Sequence, residues 1–330
     1  MRQLASIQKI RALEPIEGAD VILKATVLGW QLVVKKDEFQ VGDLCVYCEI
    51  DCLMPHKPEF EFLKPRGMRI KTIRLRGQVS QGICLPLSIL PEGTLIEVGA
   101  DVTEILGISK YEPPIPASLA GVMKGNFPSF IPKTDETRVQ VLQDLLDKYQ
   151  GMPCYIAEKL DGSSTTYYWK DGQFGVCSRN LELTESEDNS LWKLARQYDI
   201  ENKLKALGKN YALQGEIIGE GIQSNKYKMR GQAVYFFNVF DIDAHQFLDF
   251  QAFKNILATL GLNMVPILDN HFELLNEIPK LVKMAEGKSV LHKDAHREGI
   301  VIRPLTEKYE RQGRVSFKSI NPAFLLKYQE

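Results

Sequence analysis

The sequence has 330 residues, 25% of them charged, and a formal net charge of −1. This length is enough for two domains, and the balanced charge excludes a globally basic protein, so a nucleic-acid partner would need local basic patches. No run of about 18 apolar residues occurs, and the N-terminus lacks the apolar segment of an export signal. We therefore expect a cytoplasmic protein, or one of the host cytoplasm if a virus encodes it.

Residues 1–110 predict an all-β domain. Short segments rich in β-branched and aromatic residues are separated by Gly, Pro and Asp, namely VILKATVLGWQLVVKK, DLCVYCEID, MRIKTIRLRG, GICLPL and TLIEVG. Several short strands at this spacing are typical of a small barrel, and the size of the region suits an OB-type barrel.

Three of the six cysteines, Cys45, Cys48 and Cys52, lie close together in the segment CVYCEIDC. Clustered cysteines occur in zinc sites, but strand alternation places Cys45 and Cys48 on opposite faces, and no second CxxC follows. We therefore interpret these cysteines as small core or surface thiols in a reducing compartment.

The segment 111–132 contains five prolines and two glycines, which predicts a stiff, irregular connector between two domains. Beyond it, helical and strand patterns alternate, which indicates an α+β fold. Apolar spacing predicts a helix that begins at the cap Asp135 and stops at Gly151, and another from Asp249 to Gly261. The predicted parts of the chain are 1–110, 111–132 and 133–330.

The segment YIAEKLDGSS places Lys159 at the end of a predicted strand, followed by Asp161 and Gly162. A lysine in a partly dry site can act as a nucleophile if its pKa falls, but Asp161 shares its face and would raise that pKa. The arrangement makes chemical sense if a divalent metal offsets the carboxylate and also neutralises phosphate charge. For this tetrapeptide alone, a surface lysine in a turn salt bridge is the ordinary alternative.

Further ionisable residues occupy strand positions in the C-terminal part, and they are Glu216, Asp241, Glu298 and Lys318. Any one of them could face solvent at the end of a strand. Together they indicate a shared site, because buried charges need partners. Two lysines, three carboxylates, a metal and a polyphosphate would satisfy one another in a single cleft.

Six segments, in this order, resemble the motifs of ATP-dependent polynucleotide ligases of the covalent nucleotidyltransferase superfamily. They are EKLDG, SRN, LQGEIIGEGIQ, YFFNVFDI, REGIVIRP and VSFKSI. The resemblance implies that Lys159 becomes lysyl-AMP and that Phe240 stacks on adenine. The catalytic residues that it implies are Lys159, Asp161, Glu216, Glu298 and Lys318. The nucleotide-binding residues that it implies are Glu158, Lys159, Arg138, Arg179, Glu216, Phe240, Asp241 and Lys318.

The segments GEIIGEGIQ and VFDI are similar to those of RNA ligases that seal nicks in duplex RNA. PIEGAD, VGDLCVY and LRGQVSQGICLPL resemble the RNA ligase family that carries its OB domain in front. The expected fold is thus an N-terminal OB-type barrel and a nucleotidyltransferase domain with antiparallel sheets flanked by helices. In that family the arginine of KTDETR, here Arg138, lies near the ATP phosphates. The chain departs from the family at one place, because Ser316 and Lys318 occur where the family often has two lysines. Either Lys327 takes the role of the missing lysine, or no residue replaces it.

The segment KPRGMRIKTIRLRGQ carries a dense set of basic residues on the predicted barrel. They could bind phosphates of RNA or of ATP, or they could protect an exposed edge strand from aggregation. The resemblance favours the first reading. The predicted RNA-binding residues are Arg66, Arg69, Lys71, Arg74, Arg76 and Arg179.

The resemblance implies ATP-dependent joining of a 3′-OH and a 5′-phosphate RNA end through lysyl-AMP and adenylylated RNA. The expected cofactors are ATP and Mg²⁺ or Mn²⁺, with two ions, held through water by Asp161, Glu216 and Glu298. We expect a monomer that acts on RNA ends or nicked duplexes. The alternatives are a DNA ligase, a capping guanylyltransferase, or a non-catalytic RNA-binding protein built on the OB barrel.

Overall fold

The computed structural model describes residues 3–112, 114–115, 117–311 and 313–328. Contacts divide these residues into two compact units. The first unit takes its residues from 1–113, 140–143 and 322–330, and the second from 114–139 and 144–321.

The first unit is a curled antiparallel sheet of OB type. Its strands are β1 (Ala5–Ile16), β2 (Ala19–Val27), β3 (Trp30–Lys35), β4 (Leu44–Cys48), β5 (Cys52–Leu53), β6 (Ile73–Leu75), β7 (Gln78–Ser80), β8 (Ile83–Leu85) and β9 (Ser109–Lys110). The main sheet has the order β3-β2-β1-β4-β8. Strand β1 pairs with β4 through residues 5–9 and with β2 through residues 10–16, and a bulge between Ile10 and Ala12 bends it where it changes partner. The bend lets a few short strands enclose a core that contains Ile7, Trp30 and Tyr47.

The second unit contains two larger sheets. Its strands are β10 (Met123–Asn126), β11 (Thr137–Arg138), β12 (Pro153–Lys159), β13 (Ser163–Lys170), β14 (Gln173–Cys177), β15 (Leu181–Leu183), β16 (Tyr211–Gly219), β17 (Gln232–Asp241), β18 (Gln246–Phe247), β19 (Ile267–Glu273), β20 (Gly299–Pro304), β21 (Tyr309–Glu310), β22 (Gly313–Arg314) and β23 (Phe317–Ile320). One sheet has the order β10-β15-β14-β13-β16-β17-β18, and the other has the order β11-β23-β20-β12-β19. We call them sheet A and sheet B.

The helices are short. They are α1 (Thr103–Leu106), α2 (Ala117–Ala120), α3 (Gln143–Lys148), α4 (Ser190–Gln197), α5 (Ile200–Ala206), α6 (Phe250–Leu260), α7 (Ile278–Met284) and α8 (Pro322–Tyr328). No helix in the described part of the chain is long and apolar enough to cross a membrane.

A single apolar core joins the two sheets of the second unit. It combines Tyr155 and Ala157 of sheet B, Tyr167 and Leu213 of sheet A, and Phe253 of α6. Helix α6 begins after Asp249 and ends at Gly261, whose φ of 61° is the left-handed conformation that closes a helix. The predicted α+β fold class is confirmed, and so is the OB-type barrel in front of a sheet-and-helix domain.

The segment after Asp135 differs from its predicted helix. Thr137 and Arg138 form strand β11, which pairs in parallel with β23, and a 3₁₀ turn at residues 139–141 precedes α3. The apolar spacing at helical intervals holds only for the last part of the segment, because the first part finds a sheet partner about 180 residues further along the chain.

The segment 111–132 is more regular than the predicted connector. It contains α2 and β10, and β10 pairs with β15 at the edge of sheet A. Prolines and glycines limit these elements to four residues each but do not prevent them. Residues from 114 onward therefore belong to the second unit, and Gln140–Gln143 and α8 group with the first.

Candidate active site

Lys159 is the last residue of β12, at the end of a central strand of sheet B. Its Cα partner on β20 is Gly299, so Glu298 lies at the same end of the sheet. The Nζ of Lys159 is 2.7 Å from Oε2 of Glu298, and the two side chains are 23% and 15% exposed. This is a partly dry ion pair rather than a surface one, which answers the alternative raised for the tetrapeptide.

Glu216 stands opposite this pair on sheet A. It is the one half-exposed residue in the otherwise buried strand β16. Burial raises the pKa of its carboxyl to about 8, and the nearby Glu298 adds to the rise while Lys159 opposes it. Burial thus favours the protonated carboxyl, and a positive charge beside it favours the ionised one.

Lys159 is protonated in this environment. Burial by itself lowers its pKa, but the carboxyls of Glu298 and Glu216 outweigh that effect, and Asp161 adds to them, so the net pKa is raised. A protonated amine cannot attack phosphorus. The lysine therefore becomes a nucleophile only when another cation offsets the carboxylates.

Asp161 has a partner that no sequence motif indicates. Its Oδ2 lies 2.5 Å from Nζ of Lys226, and both side chains are 8% exposed. The backbone N–H of Asp161 donates to the hydroxyl of Tyr227 at 2.7 Å. Lys226 follows the motif LQGEIIGEGIQ in a polar stretch that carries no periodic signal, so only the three-dimensional contact identifies it.

Strand register aligns the other predicted phosphate-binding residues with Lys159. Lys318 on β23 is opposite Val301, and Val301 is opposite Ala157 on β12. Directly paired residues point to the same face, and so do residues two apart on one strand. Lys318 and Lys159 thus share one face of sheet B. Arg138, paired with Lys318, shares it as well.

Gly162 lies where strands β13 and β16 approach closely. A Cβ at this position would lie 2.2 Å from the carbonyl oxygen of Ile217 and 2.9 Å from Cγ of Glu216. Its missing side chain lets the start of β13 approach β16 beside Glu216. Glycine is thus required here for packing within sheet A.

Two carboxyl residues with predicted nucleotide contacts have other partners in the structure. Glu158 points to the opposite face of sheet B, where it is 1% exposed and its Oε2 accepts from the N–H of Val290 at 2.8 Å. Burial raises the pKa of Glu158. Asp241 accepts from the N–H of Ala244 and so caps the turn between β17 and β18. Neither carboxyl joins the group around Lys159.

Phe240 is packed in a separate apolar cluster. It is 2% exposed, and its ring meets Phe247 and His245 edge-on with centroid distances of 5.0 and 5.3 Å. The cluster also contains Ile131 and Tyr168. Phe240 therefore presents no open face to a base in this structure, and its stacking on adenine stays a prediction.

The predicted RNA-binding arginines fall into two groups. Arg69 is 2.7 Å from Asp51 and lies 3.9 Å from the ring centroid of Tyr111, with 13% of its side chain exposed, so it is a structural residue of the first unit. Arg66, Arg74 and Arg76 are exposed, and Lys71 is half-buried. In the second unit, the exposed Arg179 pairs with Asp135 at 2.5 Å.

The carboxylates around Lys159 fit a hydrated divalent ion. Within the described residues, no three His, Cys, Asp or Glu side chains are placed to ligate a metal directly. Asp161, Glu216 and Glu298 nevertheless all act electrostatically on the same ammonium group. Carboxyl oxygens are the ligands and water acceptors that Mg²⁺ and Mn²⁺ prefer, and Mg²⁺ commonly keeps its waters.

All six cysteines have free thiols, and five of them are buried.

An OB-type barrel joined to an α+β unit with a lysine among three carboxyl groups is the arrangement of the covalent nucleotidyltransferases. Family comparisons agree with this class. An OB-fold domain family matches residues 4–87, and the RNA ligase family matches residues 152–320. The chain belongs to the RNA ligase family.

Solved structures of Naegleria gruberi RNA ligase match almost the whole chain. A variant with ATP and Mn is 42% identical, covers 98% of each chain and has a TM-score of 0.91. The enzyme with PPi is also 42% identical, covers 100% of this chain and 99% of that one, and has a TM-score of 0.92. A variant with AMP and Mn gives 42% identity, 98% coverage of each chain and a TM-score of 0.92. Comparison with curated proteins gave no match.

Proposed function

We propose that this protein is an ATP-dependent RNA ligase that joins a 3′-OH to a 5′-phosphate in RNA, with nick sealing in RNA repair as its role. The observation that carries the proposal is the partly buried pair of Lys159 and Glu298, with Glu216 and Asp161 beside it and Lys318 on the same face. Binding alone requires no nucleophile of this kind. Crystal structures of the similar Naegleria gruberi enzyme with ATP, AMP, PPi and Mn support the same assignment.

The first step is attack of Lys159 Nζ on the α-phosphorus of ATP. A nitrogen–phosphorus bond forms, the bond to the bridging oxygen breaks, and pyrophosphate leaves. The ammonium must first lose its proton. Lys318 and Arg138, on the same sheet face, are placed to neutralise the phosphate oxygens, which carry the charge of the transition state.

In the next two steps AMP passes from Lys159 to the 5′-phosphate of an RNA end, and the 3′-OH of the other end then attacks that phosphate and releases AMP. The protein's contribution is to align nucleophile and leaving group and to balance charge. Bound Mg²⁺ or Mn²⁺ supplies positive charge that stabilises the phosphoryl transfer and offsets the carboxylates. Asp161, Glu216 and Glu298 would hold the waters of that ion.

Nucleotide labelling tests this proposal. The purified protein is incubated with ATP or GTP labelled in the α-phosphate and with Mn²⁺, and the denatured protein is examined for bound label. We expect label from ATP, none with Lys159→Ala, and normal labelling with Lys170→Ala, a half-buried lysine at the end of β13 that pairs with Asp171. A chain that takes no label would not be a nucleotidyltransferase, and label from GTP alone would favour a capping enzyme.

A nick-sealing assay tests the choice of polynucleotide. Duplexes with RNA or DNA on either side of a nick are offered to the protein, and we expect sealing when the nick lies within RNA. Sealing of all-DNA nicks alone would identify a DNA ligase. A monomeric state and a cytoplasmic location are parts of the proposal as well, and light scattering after size-exclusion chromatography tests the first.

A further inference from the structure

The loop after β16 has a defined conformation that its own side chains maintain. We call residues 222–229 the lysine loop. Gln223, Ser224, Asn225 and Lys228 have φ values of 43°, 59°, 46° and 51°, which are unfavourable for residues other than glycine. Asn225 offsets this by pairing with Met229 twice, since Nδ2 donates to its carbonyl at 2.9 Å and Oδ1 accepts from its N–H at 3.0 Å.

The lysine loop brings one cation to the active site. Tyr227 is 5% exposed and belongs to the main core, so it anchors the loop, and its hydroxyl accepts from the N–H of Asp161. The neighbouring Lys226 reaches Oδ2 of the same Asp161 at 2.5 Å. Lys226 is thus held in place by the core packing of its neighbour Tyr227, and Asp161 by the turn after β12.

Charge balance explains why a second lysine is needed here. Lys159 makes its direct ion pair with Glu298, and the ammonium in direct contact with Asp161 is that of Lys226. An ionised carboxylate that is only 8% exposed needs a partner, because its desolvation is costly. Lys159 with Glu298 and Lys226 with Asp161 thus form two ammonium–carboxylate pairs in the same site.

We propose that Lys226 is a positioning residue that acts as a tethered cation, holding Asp161 in place until a hydrated divalent metal takes over that carboxylate. Metal entry is then an exchange in which the Lys226 ammonium leaves Asp161. The tether keeps the site folded before the metal arrives, and it sets the metal concentration at which the site fills. This inference rests on the metal-binding role of Asp161 in the proposed function.

Thermal unfolding of the full chain, titrated with Mn²⁺ and without nucleotide, tests the exchange. We expect Lys226→Met to lower the Tm of the metal-free protein, because Asp161 loses its partner, and Mn²⁺ to restore it. The restoring Mn²⁺ concentration should be about tenfold below that which raises the wild-type Tm, since the competing charge is gone. Lys228→Met, an exposed position in the same loop, should behave as wild type.

Two further variants make the result decisive. Asp161→Asn combined with Lys226→Met should abolish the extra Mn²⁺ effect. Lys226→Arg keeps the cation, so it should require at least as much Mn²⁺ as the wild type; this variant also serves if Lys226→Met does not fold. If Mn²⁺ raises the Tm of Lys226→Met no more than that of the wild type, or if Lys226→Arg needs less Mn²⁺, the exchange is disproved.

This outcome is separate from that of the proposed function. Labelling of the wild-type protein by ATP depends on Lys159 and does not test the exchange. A protein that takes label but shows no difference between Lys226→Met and wild type in the Mn²⁺ titration would remain a ligase without a tethered cation.

Discussion

Arg303 donates from Nη2 to Oε1 of Glu136 at 2.7 Å, although only 2% of its side chain is exposed. Its other donors are used as well, since Nε donates to the hydroxyl of Ser316 at 2.9 Å and Nη1 to the carbonyl of Phe237 at 2.7 Å. One buried guanidinium thus ties the segment before β11 to the segment before β23 and to a bulge residue of β17. Of these strands, β11 carries Arg138 and β23 carries Lys318.

The same contact bears on the departure at Ser316. At the position where related ligases often have a lysine, this chain has a hydroxyl that accepts from Arg303. The Arg303 charge is neutralised by Glu136, so it does not replace a phosphate-binding lysine. Lys318 is the lysine of this segment that shares a face with Lys159. Lys327 lies in α8, which groups with the first unit, and its role stays a prediction.

Replacing Glu136 tests the structural role of this ion pair. We expect Glu136→Gln to lower the free energy of unfolding by about 3 kcal/mol, because it leaves the buried Arg303 charge without a counter-ion. Burial alone would raise the pKa of Glu136, but Arg303 and Arg314 outweigh it, so the pKa is lowered in the folded state. A group with a lowered folded pKa stabilises above its unfolded pKa, and that contribution is lost as the pH falls through the folded value. Urea unfolding measured from pH 6 downward should therefore show a steeper loss for wild type than for Glu136→Gln, and equal slopes would contradict the assignment.

Glu216 should show the opposite pH dependence. Its folded pKa of about 8 lies above the ordinary value of 4.5, so its contribution to stability is complete below that ordinary value and is lost as the pH rises toward 8. Glu216→Gln mimics the protonated carboxyl, so we expect it to fold normally at pH 7 and to lose less stability between pH 5 and 8. Urea midpoints across this range measure the difference. Lysyl-AMP formation should fall by about 100-fold, because the amide cannot carry the charge that faces the metal.

Gly162 should tolerate no side chain. Gly162→Ala places a methyl group 2.2 Å from the carbonyl oxygen of Ile217, and we expect a loss of about 3 kcal/mol in unfolding free energy together with reduced lysyl-AMP formation. Gly125→Ala is the matched control, since a Cβ there meets nothing within 4 Å. Equal stability of the two variants would refute the close approach of β13 to β16.

Arg69 and Arg74 of the barrel should have different effects when replaced, one on stability and the other on RNA binding. Arg69→Ala should lower the stability of the first unit by about 1 to 2 kcal/mol, because it removes the contacts with Asp51 and Tyr111. Arg74→Ala should change stability by less than about 0.5 kcal/mol. It should instead weaken RNA binding, and the slope of log binding constant against log salt concentration should become less steep by about one. RNA binding measured from low to high salt checks this, and an unchanged slope for Arg74→Ala would exclude it from the phosphate contacts.

The amino-acid sequence determined much of this protein by local rules. Alternation along YIAEKLDG places Lys159 at a strand end and Glu158 on the opposite face, and both positions are found in the structure. The predicted bounds Asp249 and Gly261 agree with those of α6, and the left-handed Gly261 ends the helix by a rule that involves only neighbouring residues. The motif order likewise identified the family, which the matched residues 152–320 confirm.

Tertiary structure alone decided which charges meet. Lys226 is 65 positions from Asp161, and Arg303 is 167 positions from Glu136, so no local pattern links either pair. Sheet pairing also decided that residues after Asp135 form a strand, and packing decided that Phe240 is covered. The physical reason is the same in each case. A buried charge or ring is stabilised by whichever groups surround it in space, and these come from strands that are distant in the chain.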